Sequence, residues 1–106
     1  MKSFNLVLAA AFLAGTSVAF AAQQTISQKG KVFSQSEIAI KVGDTVVFLN
    51  DDNIFHNVLS MHPDNKFNLG SLKPGSSTPV TFSASGDVNV ICAIHPSMKM
   101  LVKVSN

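Results

Sequence analysis

Arginine, tryptophan and tyrosine are absent from this sequence, and cysteine occurs once, as Cys92. With no arginine and a formal net charge of only +2 at pH 7, the chain lacks the clustered basic footprint that nucleic-acid binding requires. A single thiol cannot form an internal disulfide, so no disulfide framework holds the fold. In an oxidising compartment that thiol needs either burial or a task. So small a net charge gives only weak long-range steering of a charged partner. No heptad pattern, internal repeat or low-complexity stretch is present, and no helix of ordinary length is indicated.

The one long apolar run lies at the start. Lys2 precedes Leu6 to Leu13, and small residues then lead to Ala19-Phe20-Ala21. A charged beginning, a short apolar middle and an Ala-x-Ala exit mark a secretory signal peptide. Gly15, Thr16 and Ser17 interrupt the run before it reaches the roughly 20 apolar residues that span a bilayer. Residues 1–21 are therefore expected to be removed, leaving 22–106 as a single domain with no stable membrane insertion. Loss of Lys2 brings the remaining chain closer to neutrality.

Beyond Ala22, short β-like runs alternate with turn residues at intervals of about ten, the spacing of a sandwich or barrel. Ile38, Ile40 and Val42 share one face of the run from Ser36 to Val42, and Gly43-Asp44 turns the chain. The following Thr45 to Leu49 has apolar or β-branched residues on both faces, as in a strand covered twice. His56 to Ser60 reads as another strand, and Met61 to Ser77 as a long loop with at most a short strand. Pro79 places the run from Thr78 to Ser83 at a sheet edge, because proline has no ladder donor. Val88, Val90 and Cys92 lie in phase, as do Met100, Val102 and Val104, with Lys99 and Lys103 pointing away. The expectation is an all-β chain of about eight strands in a two-sheet, Greek-key antiparallel sandwich or barrel.

The chemistry concentrates in Cys92-Ala93-Ile94-His95-Pro96-Ser97-Met98-Lys99-Met100. One connection between two strands carries a thiol, an imidazole and a thioether, and a second imidazole, His56, begins a separate strand. Soft thiolate and thioether donors suit Cu(I), imidazole suits either copper state, and two histidines with one cysteine and a weak methionine form an electron-transfer set. Zinc prefers four firm donors, which this chain cannot supply without a methionine. Pro96 stiffens the backbone after His95, and a site that changes little between oxidation states favours fast electron exchange.

Cys-x-x-His-x-x-Met before the last strand, with His56-Asn57-Val58 upstream, resembles the plastocyanin-like cupredoxins. Within them the short Cys92, His95, Met98 spacing and the run from Lys41 to Asn50 are most similar to amicyanin. The resemblance spans nearly all of residues 22–106. It implies a type 1 copper ion at one end of the sandwich, held by His56, Cys92 and His95 in the equatorial plane. The axial position falls to Met98 by the short spacing or to Met100 by the longer spacing of plastocyanin and pseudoazurin. Strand alternation explains Met100 as core, which favours Met98. Asn57 then corresponds to a residue that ties the ligand loops together by hydrogen bonds. His95 corresponds to the exposed ligand, the usual electron exit, which in short-loop relatives can be protonated and leave the reduced metal.

The function so implied is that of a periplasmic, monomeric electron carrier working between redox protein partners, and not an enzyme. The alternative is copper trafficking, by a chaperone or storage protein with the same ligands. Thiol catalysis by Cys92 with His95 as base would leave His56 and Met98 unexplained, and three histidines are too few for an additional oxidase copper centre. His62 reads as a solvated loop histidine. Phe55, Ile94 and Pro96 flank the ligands and are more apolar than loops require, either as packing around the metal or as a docking patch.

Overall fold

Alternation of β-branched and polar residues produces strands throughout the residues that the computed structural model describes, 21–106. The expected signal peptide, Ala21 apart, lies outside them. In chain order the strands are β1 (Gln23–Lys29), β2 (Val32–Phe33), β3 (Glu37–Lys41), β4 (Thr45–Asn50), β5 (His56–Ser60), β6 (Phe67–Leu72), β7 (Ser77–Thr81), β8 (Gly86–Ile91) and β9 (Lys99–Ser105). They form two sheets, ordered β2-β1-β4-β7 and β3-β9-β8-β5-β6. Among the described residues no helix is long and apolar enough to cross a membrane.

The all-β sandwich agrees with the expectation, and several details differ from it. The described strands number nine: the two-residue β2 is added, and the segment from Met61 to Ser77, read as loop with at most a short strand, holds the six-residue β6, which pairs antiparallel with β5. Both sheets are mixed rather than purely antiparallel: β1 runs parallel to β4, and β3 to β9. The chain leaves β1 and passes through the other sheet before returning as β4, a crossover long enough for parallel pairing, which a tight turn cannot provide. Finally, Val42 lies beyond the end of β3 and is 38% exposed. Its N–H is spent on the carbonyl of Ser105.

Between the sheets, Ile26, Val46, Phe48, Val58, Phe82, Val88, Val90 and Val102 are fully buried. Phe67 bridges two of them, with ring centroids 6.1 Å from Phe48 and 5.9 Å from Phe82, the latter edge-on. Such offset and T-shaped contacts suit the ring quadrupole. β4 buries only the face carrying Val46, Phe48 and Asn50, and its other face is half-exposed, so this strand is covered once. β7 closes the four-stranded sheet as its edge, where Pro79, opposite Val47, leaves no interior donor missing.

Turns are closed by side chains. Asp44 accepts N–H bonds from Ala22 at 3.0 Å and Lys41 at 3.0 Å, and these backbone bonds hold its carboxyl below the ordinary value. Gly86 sits at φ 141°, and a Cβ there would lie 3.0 Å from Nε2 of His62. The backbone conformation is one that favours glycine, and a Cβ there would also need the His62 ring to give by a few tenths of an ångström. The placement that matters most for function is the antiparallel pairing of β5 with β8, Leu59 opposite Ile91 and Ser60 opposite Val90. Because the two strands run in opposite directions, the beginning of β5 meets the end of β8 at one pole of the sandwich.

Candidate metal centre

At that pole the inward-facing series Val88, Val90, Cys92 delivers a fully buried thiol just past the end of β8. His56, the first residue of β5, is also fully buried. Its Nδ1 lies 3.9 Å from Sγ of Cys92. The His95 ring stands edge-on to His56 with centroids 5.1 Å apart and is only partly buried. The structure thus brings His56, Cys92 and His95, drawn from distant parts of the chain, to one place.

The connection from Cys92 to Met98 is tied into a closed loop by backbone bonds. Met98 N–H donates to the His95 carbonyl at 2.8 Å, and Cys92 N–H to the Met98 carbonyl at 3.2 Å. Met98 is buried, 1% exposed. Met100 is already within β9, opposite Val90, and is buried in the core beside Val102.

The sulfur has one donor of its own: Asn57 N–H reaches Sγ at 3.3 Å. This link between the two loops comes from the Asn57 main chain, not from its side chain. Alternation sends the Asn57 side chain to the other face of β5, where Nδ2 donates to Asn68 Oδ1 at 2.9 Å and to the Gly70 carbonyl at 2.8 Å. The side chain therefore secures β6 at the irregularity in β5 between Asn57 and Leu59.

One participant escaped the reading of the sequence. Asp52 Oδ2 accepts a 2.8 Å hydrogen bond from Nε2–H of His56, and this bond is the main reason that the Asp52 carboxyl is lowered to about 2. Because an ionised carboxylate can only accept, Nε2 carries a proton, and Nδ1 is the ring nitrogen that faces the thiol. Asp52 belongs to the polar run Asn50-Asp51-Asp52-Asn53, where nothing in the residue order separates one loop acid from its neighbour.

His62 lies away from this pole. Its Nδ1 accepts the Asp64 N–H at 3.1 Å and its Nε2 faces Gly86, a half-buried, bonded ring rather than a freely solvated one. Phe55, Ile94 and Met61 are 53%, 49% and 70% exposed.

Several features test whether copper fits. Thiol and imidazole nitrogen, 3.9 Å apart, are separated by a gap that one ion spans with ordinary metal–ligand bonds of about 2.0–2.3 Å. Both donors are dehydrated, and the sulfur has a single N–H bond. Soft donors in this combination match copper. Among the described residues no three His, Cys, Asp or Glu side chains form a ready cage; His56 and Cys92 are the close pair, with the partly exposed His95 ring beside them.

The model of the family described as copper binding proteins, plastocyanin/azurin family, matches residues 20–105. The chain belongs to that family, whose members hold one copper ion at a type 1 site. A purple cupredoxin from Nitrosopumilus maritimus is 31% identical, with a TM-score of 0.67 over 79% of this chain and 99% of that one. A reduced amicyanin variant is 26% identical, with a TM-score of 0.73 over 84% of this chain and 87% of that one. The copper-containing nitrite reductase of Thermus scotoductus is 26% identical, with a TM-score of 0.74 over 88% of this chain, but the present chain spans only 26% of it.

Proposed function

We propose that this chain is an exported single-electron carrier whose copper is held by His56, Cys92 and His95, with Met98 as the axial donor. The observation that carries the reading is the contrast in burial: Cys92, His56 and Met98 are enclosed, whereas the His95 ring is partly exposed. When bound, the copper supplies a one-electron couple between Cu(II) and Cu(I). The chain's own residues hold the donors in place, exclude water and offer an imidazole edge to a partner.

Burial also bears on the trafficking alternative. Handing over an ion requires a partner's ligands to approach the sulfur, and here Cys92 is fully buried. Handing over an electron requires only contact with the ring edge. Phe55 and Ile94, exposed beside the ligands, provide an apolar surface for short-range docking of a redox protein, which suits a chain with little net charge. Membership of the plastocyanin/azurin family supports the carrier reading. After His56 and His95 only His62 remains, too few imidazoles for a second copper centre. Met98 is favoured over Met100 because its backbone is bonded to both Cys92 and His95, while Met100 is committed to the β8–β9 pair. The signal-like start of the sequence supports export to the periplasm.

The test is addition of Cu(II) to the purified protein. An intense visible charge-transfer band, lost in Cys92→Ser, together with rapid electron exchange and slow copper transfer to a chelating partner, is the expected result. Fast copper transfer with slow electron exchange would move the assignment to trafficking.

A further inference from the structure

The loop between β4 and β5 carries none of the proposed ligands, yet it is extensively bonded. Asn50 is fully buried; its Nδ2 donates to the carbonyls of Ile54 at 2.9 Å and Leu72 at 2.8 Å, and its Oδ1 accepts the Asp52 N–H at 3.0 Å. Asp51 N–H is fixed on the Gln28 carbonyl at 3.0 Å. The result is a backbone held still on both sides of Asp52. Its Oδ2 receives Nε2–H of His56 at 2.8 Å and also Lys31 N–H at 3.2 Å. Lys31, in the turn between β1 and β2, is the one non-glycine residue with positive φ among the described residues, at 61°. Such a conformation persists where surrounding contacts over-determine it, and here it aims an N–H at the carboxylate.

We propose that Asp52 is a positioning residue that sets the orientation and the donor strength of His56, an inference that rests on the copper-carrier reading above. A carboxylate bonded to the far nitrogen of a metal-binding imidazole fixes its tautomer and raises the basicity of the near nitrogen. The bond to Nε2–H turns Nδ1, the nitrogen left to bind a metal, toward the Cys92 sulfur 3.9 Å away. The negative charge behind the ring stabilises the more highly charged oxidised ion more than the reduced one, so it lowers the reduction potential. His95 has no such partner: among the described residues no carboxylate lies within 4 Å of its ring nitrogens. The two imidazoles are therefore unequal donors, His56 anchored by a charge and His95 left free to meet a partner.

Two measurements test this. In the copper-free full chain, at a pH where the ring is neutral, long-range ¹H–¹⁵N spectra of the histidine rings should show His56 as the Nε2–H tautomer, and a neutral Nδ1–H tautomer would overturn the proposal without any substitution. In the copper-loaded protein, Asp52→Asn keeps an acceptor but removes the charge, and it should shift the Cu(I):Cu(II) affinity ratio about tenfold toward Cu(I), a rise of about 59 mV for one electron. Asp52→Ala should shift it at least as far and let both His56 tautomers appear, while Asp52→Glu should bring the potential back toward the wild-type value. Potentials of the Asn and Ala variants equal to wild type would refute the tuning role, since a merely structural contact alters stability and not the potential. A wild-type protein that binds copper without a charge-transfer band would instead sink the carrier reading, and the tautomer measurement would still decide the role of Asp52 in orienting the ring.

Discussion

Replacing Asn57 with alanine separates two roles that adjoin in the sequence and point in opposite directions in space. The substitution leaves the backbone N–H on Cys92 Sγ untouched and removes the two bonds from Nδ2 to Asn68 Oδ1 and the Gly70 carbonyl. A neutral intramolecular hydrogen bond contributes about 0.5–1.5 kcal/mol net, so two losses amount to about 1–3 kcal/mol. The lower part of that range applies, because Asn68 Oδ1 keeps the N–H of Gly70 at 2.9 Å and both acceptors are close to solvent. For a domain of this size the thermal midpoint should fall by roughly 5–15 °C. The assay is calorimetric or circular-dichroism unfolding of the copper-free chain, paired with the visible spectrum and reduction potential of the loaded protein. Stability should drop while the spectrum and potential stay near wild type. A variant of unchanged stability but shifted potential would refute the assignment of the sulfur bond to the main chain.

The two methionines should behave differently. Met98→Ala should alter the copper spectrum and potential, whereas Met100→Ala, a core truncation beside Val90, should cost about 2–5 kcal/mol of stability and leave the spectrum in place. Gly86→Ala should destabilise by about 1–3 kcal/mol, and adding His62→Ala should recover only part of this, since it removes the 3.0 Å clash but not the strain at φ 141°. Urea unfolding of the single and double variants decides the split. Asp44 and Asp52 both titrate below the reference value of 3.8 when folded, Asp52 at about 2. The unfolded chain therefore takes up protons first, and the stability these acids contribute is complete above 3.8 and lost as pH falls toward 2. The slope of stability against pH over that interval should flatten in an Asp44→Asn, Asp52→Asn double variant.

Period-two patterning was a reliable guide wherever one face of a strand met the core. Val88, Val90 and Cys92, like Met100, Val102 and Val104, lie inward as their alternation requires. It was a poor guide to β6, whose burial is partial and irregular and whose residues include Asn68 and Gly70. That strand owes its existence to pairing with β5 and to the Asn57 side chain, neither of which is a local property. The thickness of cover over β4 and the parallel pairings likewise depend on which strands the chain places side by side, and a single segment carries no record of its neighbours.

The donor types and their short spacing around Cys92 are covalent facts, legible before any folding, and they are enough to point to soft-metal chemistry because thiolate, imidazole and thioether have fixed affinities. The partnership of that loop with His56 rests on the antiparallel meeting of β5 and β8, a long-range arrangement decided by core packing. Asp52 was invisible for the same reason: an acid in a polar loop becomes a partner of the ring only when buried Asn50 and the Lys31 turn hold it there. Hydrogen-bond geometry acts over about 3 Å, and only the folded chain brings groups to that distance.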